Sequence, residues 1–92
     1  MAPLAGKHVL VIGGSSGIGF GVARAALAEG AVVTIASTSD VKLRAAAAKL
    51  DDQTKVHTEV VNVANEESVK ALFERLGSVD HLVFTVSKPW WH

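Results

Sequence analysis

The stretch His8-Val9-Leu10-Val11-Ile12-Gly13-Gly14-Ser15-Ser16-Gly17-Ile18-Gly19 decides the fold. Its first five residues form a short apolar run rich in β-branched side chains, the pattern of a strand buried on both faces of a parallel sheet. Gly13, Gly14, Ser15, Ser16 and Gly17 break that run. From Ile18 the period changes to that of a helix, with Ile18, Val22, Ala25 and Ala26 expected on the buried stripe and Arg24 and Glu29 facing water. Gly30 stands where a helix takes its left-handed terminal residue. A buried strand, a glycine turn and a helix make up the opening unit of an α/β fold.

The same unit repeats outward from there. Ala31 to Ala36 reads as a second strand, and Ser37, Thr38 and Ser39 offer capping hydroxyls to a helix from about Asp40 to Leu50. Val56 to Val61 reads as a third strand, with His57 and Glu59 suiting a partly wet edge. Asn65 caps a third helix, Glu66 and Glu67 complement its dipole, and Val69, Leu72, Phe73 and Leu76 form its apolar stripe up to Gly77. His81 to Val86 is the fourth strand. The order β-α-β-α-β-α-β predicts a doubly wound parallel sheet with right-handed crossovers and strand order 3-2-1-4. In it the first two helices share one face and the third covers the other.

The 92 residues carry 9 lysines and arginines against 9 aspartates and glutamates, with 49% apolar residues and no cysteine. That length allows one domain, and the composition suits a packed core rather than disorder. Balanced charge gives no electrostatic reason to bind nucleic acid or an anionic membrane. Absent cysteine excludes disulfides, thiolate metal sites and a cysteine nucleophile within these residues. No apolar run approaches the roughly 20 residues of a membrane span, and Met1 to Lys7 lacks the pattern of a signal peptide. A cytoplasmic location is the expectation. Four dispersed histidines (His8, His57, His81, His92) suggest no metal site.

The glycine turn carries the chemistry. Gly13 and Gly14 suit positive φ, while Gly17 and Gly19 leave room for close approach of a ligand and of the neighbouring strand. Backbone N–H groups near Gly17, Ile18 and Gly19, with the helix dipole, favour an anion by about 0.3–1 kcal/mol, and by roughly 2 when partly buried. Ser15 and Ser16 add hydroxyl donors. A P-loop would need Gly-Lys-Ser/Thr at the helix start, and this stretch has none. The alternative is a tight turn without a ligand.

Ile12-Gly13-Gly14-Ser15-Ser16-Gly17-Ile18-Gly19 resembles the TGxxxGIG turn of the short-chain dehydrogenase/reductase family, with Ile12 in place of threonine. Val61-Asn62-Val63 is similar to the family's Asp-Val step, and Val79-Asp80-His81-Leu82-Val83 to its lead into the fourth strand. The resemblance runs from Lys7 to about Thr85. It implies a partial Rossmann-like domain over residues 1–86 and a dinucleotide cofactor held by Gly13, Ser15, Ser16, Gly17, Ile18 and Gly19. It further implies that Asn62 and Val63 lie at the adenine and that backbone groups of Phe84 and Thr85 line the adenosine. Where the family has Asn-Asn-Ala-Gly, this chain has Phe84-Thr85-Val86-Ser87. Ser37 and Thr38 replace the acidic residue that would hold an NAD ribose, so NADP is expected over NAD.

The family's catalytic Tyr-x-x-x-Lys is not found, since the sequence contains no tyrosine. A fragment of an NADPH-dependent oxidoreductase, inactive alone, is therefore the expectation. The alternative is a non-catalytic dinucleotide-binding or protein-interaction module. Ser87 to His92, with Trp90 and Trp91, resembles nothing in the family and reads as a divergent tail of a shortened product; the alternative is a cap over the fourth strand or a partner-binding anchor. Leu82 and Phe84 are expected to leave an exposed, marginally stable edge on the fourth strand that favours self-association.

Overall fold

The computed structural model describes residues 4–13, 17–50 and 52–85. Strands β1 (His8–Ile12), β2 (Val32–Ser37), β3 (Val56–Val60) and β4 (His81–Phe84) alternate with helices α1 (Gly17–Ala28), α2 (Asp40–Ala48) and α3 (Glu66–Leu76). All pairings are parallel, and the order is β3-β2-β1-β4 as expected. Ile12 stands in register with Ala36 on one side and Phe84 on the other, so these three strands end along one edge of the sheet.

Alternation along the strands divides the core in two. Val9, Val11, Val33 and Ile35 pack with Ala23, Ala26 and Leu27 of α1 and with Leu43 and Ala46 of α2. Leu10, Ile12 and Ala36 face the other way and pack with Val61 and with Leu72 of α3. The first two helices thus share a face and the third takes the opposite one. Parallel strands covered on both sides need apolar residues at successive positions, which is why β1 reads as an unbroken run.

Helix ends follow local chemistry. Asn65 caps α3 by accepting from the Ser68 N–H at 3.2 Å, with Glu66 and Glu67 in the first turn. After α1, Gly30 takes a φ of 93°. Its N–H donates to the Leu27 carbonyl at 3.0 Å while the Ala31 N–H reaches Ala26 at 3.1 Å, a Schellman closure. Gly77, with a φ of 72°, ends α3.

The packing corrects several sequence expectations. On α1 the buried residues are Gly19, Ala23, Ala26 and Leu27, whereas Ile18 is 79% exposed and Ala25 is also exposed. A side chain at position 19 would collide with the Gly13 carbonyl just after β1, so the buried stripe is set by the glycine rather than by Ile18. Helix α2 stops at Ala48, two residues before the expected Leu50, and a 3-10 turn follows at Gln53–Lys55. There the Gln53 side-chain amide donates to the Leu50 carbonyl and to the Ala47 carbonyl at 2.7 Å, the latter also accepting from the Leu50 N–H at 3.1 Å. Only Ser39 of the three expected hydroxyls caps α2, accepting from the Lys42 N–H at 3.3 Å.

His8 is held within the sheet. Its Nδ1 lies 2.8 Å from the Ser78 carbonyl, which only accepts, so Nδ1 carries the proton. Nε2 then accepts from the hydroxyl of buried Thr34 at 2.7 Å. Among the described residues no group of three or more histidines and carboxylates is placed to hold a metal. No helix among them is long and apolar enough to cross a membrane.

Leu72 is the one fully buried side chain of α3. Leu72→Ala is expected to cost about 2–5 kcal/mol in urea unfolding, and exposed Glu74→Ala less than about 0.5 kcal/mol.

Candidate functional site

The C-terminal ends of β1, β2 and β4 share one edge; the chain leaves β1 for α1 on one face of the sheet and leaves β3 for α3 on the other. A crevice outside the strand ends at such a switch point is where open α/β sheets bind ligands. Gly13 follows β1 with a φ of 93°, as expected, and its N–H donates to the Ala36 carbonyl at 2.7 Å. The expected site residues Ser15 and Ser16, and with them Gly14, lie outside the described residues, as do Val86 and the tail with Trp90 and Trp91.

The two described glycines of the helix start have different duties. Gly17 opens α1 with a φ of 60°, and a Cβ built on it would meet nothing within 4 Å. Space above a helix start, with the backbone N–H groups of its first turn unpaired within the helix, has the character of an anion cradle. Gly19 is buried. A Cβ there would overlap the Gly13 carbonyl oxygen and lie 2.5 Å from the Thr85 hydroxyl. Its lack of a side chain serves the packing of α1 against the turn and Thr85.

Ser37 ends β2, half-buried, and its hydroxyl lies 3.5 Å from the Ser39 N–H; Thr38 beside it is exposed. Asn62 and Val63 follow β3, both exposed. The Asn62 side-chain oxygen accepts from the Ala64 N–H at 3.1 Å, forming a local turn, and one lone pair remains for a further donor. Phe84 closes β4 and is 54% exposed. The described site residues thus gather at the strand ends, drawn from four segments separated in sequence. No charged side chain is among them.

Thr85 drew only a backbone role in the sequence, yet it meets both glycines. Its N–H donates to the Ile12 carbonyl at 2.8 Å. A Cβ on Gly13 would overlap its carbonyl oxygen. The signal for it in the sequence is indirect: side-chain-free positions 13 and 19 need something to fill the space beside them.

A family profile described as short chain dehydrogenase matches residues 7–88. A short-chain dehydrogenase/reductase of Gibberella fujikuroi is 40% identical, with 92% of this chain and 37% of that protein aligned. Among solved structures, a short chain dehydrogenase/reductase family protein matches with a TM-score of 0.87 at 33% identity, covering 96% of this chain and 36% of that one. The Pseudomonas aeruginosa RhlG/NADP active-site complex matches with a TM-score of 0.85 at 28% identity, covering 95% and 37%. The chain therefore spans little more than a third of the length of these proteins.

Glycine duties separate in stability measurements. Gly13→Ala combines a left-handed backbone with steric overlap and is expected to lose at least about 2 kcal/mol. Gly17→Ala, strained but unobstructed, is expected to lose about 1–2 kcal/mol. Thermal unfolding of the two variants in parallel checks the order.

Proposed function

Because this chain belongs to the short-chain dehydrogenase/reductase family, we propose that its glycine turn binds the pyrophosphate of a nicotinamide dinucleotide, NADPH in preference to NADH. The observation that carries this reading is Gly17: a left-handed residue at the start of α1 with open space above it, at the strand-end edge. Gly13, Gly17, Ile18 and Gly19 would contribute backbone, and Ser15 and Ser16 hydroxyls. Asn62 and Val63 would lie at the adenine and Phe84 at the adenosine. These residues fit such a group, since neutral N–H donors and a helix dipole accept a diphosphate without a buried countercharge.

The NADPH preference is supported by Ser37 and Thr38, which put hydroxyls where a carboxylate would repel a 2′-phosphate. One solved relative is an NADP complex by its own description. When bound, the cofactor supplies hydride. These 92 residues contain no tyrosine to serve as the phenolic acid, so we take them to bind cofactor without reducing a carbonyl by themselves. The same lack of a phenol favours, as second reading, a binding or interaction module without chemistry. The reading places the chain in the cytoplasm. Self-association through β4 is part of it, supported by Leu82 at 52% and Phe84 at 54% exposure on an edge strand.

Calorimetric titration is expected to give tighter binding of NADPH than of NADH. Gly17→Val should weaken NADPH roughly tenfold or more by filling the open space. Ser37→Asp should reverse the preference toward NADH. Equal affinities in the unaltered chain would refute the preference, and binding untouched by Gly17→Val would refute the site. Sedimentation is expected to show association that Phe84→Lys reduces.

A further inference from the structure

The polar side chain of Thr85 contacts the junction beneath the glycine turn. Its Oγ1 lies 3.3 Å from the Ile12 carbonyl oxygen and 3.4 Å from the Gly13 carbonyl oxygen. Both acceptors are carbonyls, so the hydroxyl donates, shared between two successive peptide units at the point where β1 gives way to the turn. The backbone N–H of the same residue already holds Ile12 at 2.8 Å. The Gly13 carbonyl is also the atom that a Cβ on Gly19 would strike. Thr85 therefore touches the end of β1, the first residue of the turn and the first helical turn together. Ile12, the residue at which β1 ends, is apolar and buried against the α3 side of the sheet, so it brings no hydroxyl of its own to this junction.

We propose that Thr85 is a positioning residue for dinucleotide binding. Its hydroxyl fixes the Ile12 and Gly13 peptide planes from the β4 side, and so sets the direction in which the turn and the α1 N–H groups point. In this role the hydroxyl acts on the two peptide planes, apart from any backbone contact of Thr85 with the adenosine. The effect runs through orientation: an amide turned away from its acceptor forfeits most of a hydrogen bond, since such bonds weaken steeply below about 120°. This inference rests on the reading of the glycine turn as the pyrophosphate site and adds a side-chain role for Thr85 beneath it.

Two variants of the 92-residue chain separate hydroxyl from bulk. Thr85→Val removes the hydroxyl and keeps the branched shape; Thr85→Ser keeps the hydroxyl and loses the methyl. The expected result is NADPH binding weakened roughly three- to tenfold in Thr85→Val and near the unaltered value in Thr85→Ser. Amide chemical shifts of Gly13 and Gly19 in the ligand-free chain should move in the valine variant and return in the serine variant. Equal weakening by both variants would assign the effect to packing and overturn the proposal, as would unchanged affinity in Thr85→Val. Thr85→Ala gives the same comparison should the valine variant not fold. If the unaltered chain binds neither NADPH nor NADH, the cofactor reading fails. The ligand-free shifts then decide the hydroxyl's part alone, and shifts unmoved by its removal overturn it.

Discussion

The constraint on which the rest depends is the absence of side chains at Gly13 and Gly19. Three backbones meet there: the end of β1, the first turn of α1 and the residue after β4. A single Cβ at either position would overlap a carbonyl oxygen. Because they meet so closely, α1 lies down against the sheet immediately after the turn, and Thr85 is drawn in beside β1. The same closeness aligns the ends of β1, β2 and β4, and so forms the edge at which the proposed cofactor site lies.

The two faces of the sheet are served unequally. On one, α1 and α2 bring Ala23, Ala26, Leu27, Leu43 and Ala46 onto valine and isoleucine side chains, and small residues let the helices approach. On the other, α3 buries Leu72 fully and Val69, Phe73 and Leu76 partly, over a smaller cluster. Arg75 of α3 extends its cover to the β3 edge by pairing with Glu59 at 2.9 Å. At the opposite edge Leu82 and Phe84 lie beyond the reach of α3 and stay half exposed. Half of β4 is thus finished on the α1 side, where Val83 is half-buried, and open on the other.

This distribution bears on function. A diphosphate site made from main-chain donors needs no charged side chain, in keeping with an evenly balanced sequence. Its strength comes from amides held in fixed directions, so it depends on the rigidity of what lies beneath. On the proposed reading, residues that bind the cofactor stand directly on residues that hold the junction together, Gly17 above Gly13 and Gly19.

The strand and helix order, the parallel sheet and the glycine turn were legible in the sequence. Apolar runs of strand length, changes of period and left-handed glycines are local properties, readable without knowing what they pack against. Asn65 and Gly30 likewise act on backbone within a turn of themselves. The α1 stripe was legible at Val22 and Ala26 but not at Ile18 and Ala25, because Gly19 turns toward the Gly13 carbonyl and Thr85 and leaves Ile18 outward. Nor was the early end of α2, which depends on Gln53 reaching back to Ala47 and Leu50. Tertiary structure alone decided that Thr85, some 70 residues from the turn, underlies it, since a contact between distant segments leaves no periodic trace in either.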